Sequence, residues 1–223
     1  MSQTPYAVAR PAESALATNK LIRNTYMLLS MTLLFSAFTA GLSMVFNFPH
    51  PGMLITIAGY FGLLFLTSAL RNSVWGLASI FALTGFMGLT LGPIISAYVT
   101  HFSNGTQLVM TALGGTGAIF LGLSGYALTT RKDFSFMGGF IMVGVLVAFL
   151  AGIGAAIFSI PALSLAVSAM FVLLMSGFIL YQTSEMIHGG ETNYIMATVG
   201  LYVTIYNLFT SLLHLLGAFA GED

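Results

Sequence analysis

The sequence predicts an all-α membrane protein, a bundle of seven transmembrane helices. Of its 223 residues 57% are hydrophobic and only 5% are charged, whereas a soluble domain carries about 25% charged residues to keep its surface hydrated. Membrane lipid is therefore the expected solvent. Seven apolar stretches reach the ~20 residues that a helix needs to cross a bilayer core ~30 Å thick. They cover residues 25–46, 52–70, 74–99, 107–129, 134–158, 162–187 and 194–219.

The basic residues predict the direction of each crossing. All six precede the first stretch or lie in every second connection, namely Arg10, Lys20, Arg23, Arg71, Arg131 and Lys132. Lys and Arg are retained in short cytoplasmic loops. We therefore expect residues 1–24 to form a flexible cytoplasmic tail, and residues 220–223 to form a short carboxyl terminus on the opposite side of the membrane.

Turn-forming residues mark most of the boundaries in order along the chain. They occur at residues 47–52, 103–105, 159–161 and 188–190, where Pro, Gly, Asn and Ser interrupt the apolar stretches. Pro93 lies inside the third stretch but near its outer end, where we expect a kink or early unwinding. The short connections predict that sequential helices are antiparallel neighbours in one bundle.

The last stretch carries polar or small residues at helical spacing, which places them on one face of the helix. They are Gly200, Thr204, Asn207, Ser211 and His214. A lipid-facing Asn at mid-membrane would cost several kcal/mol, so this seam should face protein and the seventh helix should be central. Two uses of the seam stay open: a packing surface with local hydrogen bonds, or a path for ions or protons.

The cytoplasmic end of the sixth stretch holds the other notable polar groups. Glu185 and His188 lie within about one turn of the connection that contains Glu191, so these groups can stay hydrated. No transmembrane stretch therefore holds an unavoidable buried charge, which disfavours a proton-coupled carrier. Gly88 and Gly92 form a GxxxG pair, which favours close helix packing within the bundle, with association of two copies as the alternative.

Several functional classes lack support in the sequence. There is no cysteine, which excludes disulfides and thiolate chemistry, and no basic stripe suits nucleic acid. His50, His101 and His214 should all lie toward the outer surface, but they stand alone, without a carboxylate at helical spacing. We therefore expect no metal or cofactor, and in the absence of a catalytic constellation no enzymatic activity.

Six strings resemble the Bax inhibitor-1 family, and together they extend the resemblance from about residue 20 to residue 219. They are RNTY at 23–26, TGFMG at 84–88, LGPI at 91–94, LTTRKD at 128–133, IHGGETNY at 187–194 and LYV at 201–203. The match is most similar to the bacterial YccA-type branch, whose members bind and modulate the FtsH membrane protease. The resemblance implies a multi-pass protein of the bacterial inner membrane that inhibits the FtsH complex, with its amino-terminal tail presented to the protease.

The family also implies an alternative function. Some members leak Ca²⁺ through a pH-sensitive pair of aspartates, one near the end of the sixth helix and one in the seventh. These positions fall on Gln182 and Thr204 here. Neither side chain ionises, so the pair cannot share a proton or attract calcium. The resemblance therefore implies the seven-helix fold with a central last helix, but it weakens the expectation of a cation leak.

Overall fold

Seven long helices, none interrupted by a strand, account for nearly all of the computed structural model, which describes residues 15–221. Each is long and apolar enough to cross a membrane, as predicted. In chain order they are α1 (Ala15–Val45), α2 (Met53–Leu70), α3 (Trp75–His101), α4 (Gly105–Thr130), α5 (Gly138–Ile157), α6 (Pro161–His188) and α7 (Tyr194–Ala220), with a short 3₁₀ turn at Ser135–Met137 before α5.

The first helix begins ten residues earlier than the sequence predicted. Residues 15–24, which we expected to belong to a flexible tail, are helical. Ala, Leu, Lys and Arg are good helix formers, so the helix can extend from the apolar stretch into the more polar residues that precede it. Leu21 is buried against the bundle, which adds a tertiary reason. Residues 1–14 and 222–223, the rest of the predicted termini, lie outside the described residues.

Pro93 does not interrupt α3, which continues as helix to His101, so of the two expectations, a kink or early unwinding, the unwinding was wrong. Pro has no backbone N–H and therefore leaves the carbonyl four residues earlier, that of Leu89, without its helical donor. The Ser43 hydroxyl of α1 donates to this carbonyl at 2.9 Å. A neighbouring helix thus restores the hydrogen bond that the proline removes, as is common within membranes.

Among the described residues helices α1 and α3 share the most extensive contact of any pair, and the GxxxG glycines lie within it. A Cβ atom added to Gly92 would lie 2.8 Å from the Ala40 carbonyl oxygen of α1. One added to Gly88 would overlap the Ser36 carbonyl oxygen and the Thr39 hydroxyl. These two glycines therefore serve packing inside the bundle, the first of the two uses that their spacing suggested.

Helix α7 packs against every other helix except α5 in the described part of the chain. Its largest buried side chain is Tyr202. The Tyr202 hydroxyl lies 2.7 Å from the Ser36 hydroxyl of α1 and donates to the Thr84 carbonyl of α3 at 3.3 Å. By contrast, α2 and α5 have few buried residues, and in a bilayer their exposed apolar side chains would contact lipid tails.

The connections that carry the basic residues meet at one end of the bundle. Asn193, just before α7, donates to the Arg71 carbonyl oxygen after α2 at 3.1 Å. Phe134, after α4, donates from its backbone N–H to the Ser184 hydroxyl of α6 at 2.9 Å. The side chains of Lys20, Arg23, Arg71, Arg131 and Lys132 are all exposed there. We call this end the basic end.

Candidate functional site

A cavity of about 280 Å³ lies at the basic end, between the last turns of α6 and the first turns of α7. It contains Gln182, one of the two positions that the resemblance singled out, together with two carboxylates. The residues that line it are Phe178, Tyr181, Gln182, Glu185, Gly190, Glu191, Met196, Ala197 and Gly200. The lining therefore combines two carboxylates and an amide with apolar and aromatic side chains of both helices.

Gln182 and Thr204 are in direct contact. The Thr204 hydroxyl lies 3.2 Å from the Gln182 side-chain oxygen and 2.8 Å from the Gly200 carbonyl, one turn earlier in α7. A Cβ atom at Gly200 would lie 2.6 Å from the Gln182 amide nitrogen, so a side chain at position 200 would displace this amide. The structure thus brings together the two positions that the resemblance singled out, as an uncharged hydrogen-bonded pair.

Helix α6 ends in a glycine turn that leads into the connection to α7. Gly189 has φ +79°, the left-handed conformation that glycine adopts without strain, and the backbone N–H of Gly190 donates to the Glu185 carbonyl at 2.9 Å. This turn lays Gly190 directly against the Glu185 carboxylate. His188 is exposed and does not line the cavity; its Nδ1 lies 3.0 Å from the Ser184 carbonyl oxygen.

Glu191 and Asn193 order the start of α7. The Glu191 carboxylate accepts from the backbone N–H groups of Thr192 and Asn193 at 2.8 and 2.7 Å. Asn193 is the N-cap, because its side-chain oxygen accepts from Ile195 and Met196. A capping Asn before an apolar run can be recognised in a sequence. The hydrogen bond from the Asn193 side chain to Arg71, in the α2–α3 connection, depends on the tertiary fold.

A third connection is tied to α6 at the same end. Asp133 accepts hydrogen bonds from the side chain and the backbone N–H of Ser135. These bonds favour the ionised form and lower the pKa of Asp133. Ser184, fully buried, accepts from Phe134. Ser184 could not be recognised from the sequence, because a serine in an apolar helix gives no signal about a partner fifty residues away.

The remaining residues of the α7 seam lie farther along the helix. The Asn207 side chain donates to the Val203 carbonyl of its own helix at 2.8 Å, Ser211 is buried, and His214 Nδ1 lies 2.8 Å from the Ser168 hydroxyl of α6. Among the described residues no hydrogen bond joins Thr204, Asn207, Ser211 and His214 to one another. The seam thus contacts α6 at two separate levels.

Each of the three histidines considered as metal ligands has a hydrogen-bond partner of its own. His50 Nδ1 accepts from the Gly52 backbone N–H at 3.0 Å, and His101 Nδ1 lies 2.8 Å from the Ala97 carbonyl oxygen. Across residues 15–221 no three His, Asp or Glu side chains are grouped closely enough to hold a metal ion. The structure does not bring these histidines together.

Comparison with known proteins identifies the family. Residues 18–221 match the family model described as "Inhibitor of apoptosis-promoting Bax1". The chain belongs to the Bax inhibitor-1 family. Within this family it is 50% identical, over 94% of both chains, to the "Modulator of FtsH protease YccA" of Escherichia coli K12 and to the "Inner membrane protein YccA" of E. coli O6:H1. A mouse relative, "Protein lifeguard 4", is 31% identical over 88% of this chain and 84% of its own length.

Proposed function

We propose that this Bax inhibitor-1 family protein is a regulator in the bacterial inner membrane that binds the FtsH protease complex and slows its degradation of other membrane proteins. The observation that carries the proposal is the 50% identity to a relative named as a modulator of that protease, since it covers nearly the whole of both chains. A regulator needs a stable surface rather than reactive groups, and a closely packed helical bundle provides one.

The amino-terminal end of α1 suits contact with a partner at the basic end. Thr198 of α7 donates to the Thr25 carbonyl of α1 at 3.3 Å, so these residues lie at the same level. Helix α1 begins ten residues before this level and α7 only four. At 1.5 Å per residue, α1 extends about 9 Å farther than α7. The end of α1 at Ala15 therefore projects beyond the start of α7, on the side where the active domain of the protease would lie.

The test removes residues 2–14 and keeps α1 intact. A longer deletion through residue 20 would cut into a helix whose buried Leu21 anchors it. We expect the shortened protein to fold normally but to lose its inhibition of FtsH, measured as the half-life of a membrane substrate in proteoliposomes that contain both proteins. A control in which residues 2–14 are replaced by a Gly/Ser segment of equal length separates the sequence of the tail from its length.

The same assay separates a regulator from a competing substrate. We follow the degradation of this protein together with that of the reporter substrate. A regulator slows loss of the reporter while it is itself stable, whereas a competing substrate disappears at a comparable rate. Equal inhibition by the full-length and shortened proteins would reject the role of the tail, and absence of inhibition by the full-length protein would reject the proposed function.

The orientation in the membrane is part of the proposal, with the basic end in the cytoplasm and the carboxyl terminus in the periplasm. The chain has no cysteine, so single cysteines give labelling without background. We expect a membrane-impermeant maleimide to label Ser103→Cys in intact spheroplasts, but to label Lys132→Cys only after lysis. The reverse pattern would overturn the orientation.

A cation leak is the second candidate, and one observation favours it. The cavity beside Gln182 contains the carboxylates of Glu185 and Glu191, which are the groups at this site that would attract a cation. Against it, the Gln182–Thr204 contact is uncharged, and the polar seam of α7 has no hydrogen-bonded continuity among the described residues. We therefore rank the leak below the regulatory role.

A further inference from the structure

A second cavity, of about 310 Å³, lies on the opposite side of α7 from the polar cavity and is almost entirely apolar. Its wall on α1 extends from Leu33 to Met44, and α4 contributes Leu113 and Thr116 to the facing wall. The floor is formed by α7 and the outer part of α3. We call this cavity the α1/α4 groove.

The groove is open toward the membrane between α1 and α4. Among the described residues the backbones of these two helices do not approach each other within 8 Å. Near the basic end they are bridged by side chains, because the Tyr26 hydroxyl bonds that of Ser124 and the Tyr26 ring lies 6.0 Å from that of Phe120. The groove is therefore closed toward the basic end and lies in the half of the bilayer that contains the α1–α2 connection.

The length of the groove matches one leaflet. From residue 33 to residue 44 a helix rises about 17 Å at 1.5 Å per residue. Half of a hydrocarbon core ~30 Å thick is about 15 Å. A chain that enters from the headgroup region of this leaflet would thus reach the closed end of the groove near mid-membrane.

The four hydroxyl groups of the lining are directed to protein partners, and that of Tyr206 interacts with the Thr90 side chain. The Ser36 and Tyr202 hydroxyls bond each other at 2.7 Å, and the Thr116 hydroxyl donates to the Ala112 carbonyl at 2.7 Å. Water at this depth would gain little from such a lining, because it needs two to four free polar partners. The groove therefore suits a hydrocarbon occupant and has no feature that selects a polar or charged one.

We propose that the α1/α4 groove is a specific site for one acyl chain of a phospholipid from this leaflet. The occupant fills a cleft that would otherwise leave apolar side chains without packing partners at mid-membrane. The site is independent of the proposed protease role. A phospholipid in the groove would act as part of the bundle, unlike the exchanging lipid around α2 and α5.

Two glycines provide a matched test. Gly41 lines the groove, and a Cβ atom added there would have no atom within 4 Å, so Gly41→Leu fills the groove without a backbone clash. Gly114 on α4 has the same open surroundings but is exposed outside the groove. Gly114→Leu therefore adds the same apolar volume to the surface that faces bulk lipid.

The measurement is native mass spectrometry of protein released from detergent micelles. We expect wild type and Gly114→Leu to retain one phospholipid, and Gly41→Leu to show an occupancy about tenfold lower. After delipidation, a long-chain phospholipid should rebind to wild type and a short-chain analogue should not. Unchanged thermal unfolding of each variant shows that the bundle is intact.

Three results would overturn the proposal. The first is that wild type retains no phospholipid, and the second is that Gly41→Leu and Gly114→Leu retain it equally. The third is that wild type retains another hydrophobic molecule or a peptide in place of phospholipid. If Gly41→Leu does not fold, Ala37→Leu replaces it, because Ala37 lines the groove and is exposed. The same criteria then apply to that variant.

Discussion

The close approach of α1 and α3 predicts that Gly88→Ala destabilises the protein. The added methyl group would overlap the Ser36 carbonyl oxygen, which belongs to the backbone of α1, and the Thr39 hydroxyl, which bonds that same carbonyl at 3.0 Å. A flexible side chain could move away, but a helical carbonyl cannot. The two helices must therefore separate, and this also strains the bond between Ser36 and Tyr202.

The magnitude follows from two opposing effects. Overpacking of a closely packed contact typically costs ~1–3 kcal/mol, whereas Ala in place of Gly favours a helix by up to about 1 kcal/mol. We expect a net loss of about 1–2 kcal/mol in the free energy of unfolding for Gly88→Ala, which lowers the ratio of folded to unfolded protein by about 5–30-fold.

The assay is equilibrium unfolding in mixed micelles as the fraction of denaturing detergent rises. Gly62→Ala is the control, because Gly62 is exposed on α2 and a Cβ atom there would meet no atom within 4 Å. That variant should be as stable as wild type or slightly more stable. If Gly88→Ala is no less stable than Gly62→Ala, the α1–α3 contact has room for a methyl group at position 88 and the prediction is wrong.

Two further predictions concern polar contacts. Tyr202→Phe should lower the free energy of unfolding by about 0.5–1.5 kcal/mol, since it removes buried hydrogen bonding. The double variant Tyr202→Phe with Ser36→Ala should lose less stability than the sum of the two single variants, and strictly additive losses would contradict the bond between these hydroxyls. Wild type in liposomes should show little Ca²⁺ flux, whereas Gln182→Asp with Thr204→Asp should show flux that depends on pH, because two adjacent carboxyl groups can share a proton and attract a cation once it is lost. Gln182→Asn with Thr204→Ser is the uncharged control, and strong flux through wild type would overturn the ranking of functions.

Parts of the candidate site could be predicted because they depend on local sequence. The αL turn after His188 follows from consecutive glycines, and the helical spacing of Thr204 with its neighbours follows from periodicity. That Gln182 meets Thr204 was implied only by the resemblance, since residues on two helices share no local signal. The partners of Ser36 and Ser184 could not be predicted, because a small hydroxyl group in an apolar helix can also bond its own backbone.

The seven apolar helices could be predicted from the sequence alone, because hydrophobic length acts on each segment separately, and the placement of Lys and Arg predicts their direction. What each glycine and polar side chain contacts depended on the tertiary fold. It directed Gly88 and Gly92 to α1 rather than to a second copy, supplied the Ser43 hydroxyl that keeps α3 helical through Pro93, and left a groove open beside Gly41. These outcomes depend on which helices become neighbours, and in an apolar solvent that choice is made by shape and by hydrogen bonds between distant residues rather than by hydrophobicity.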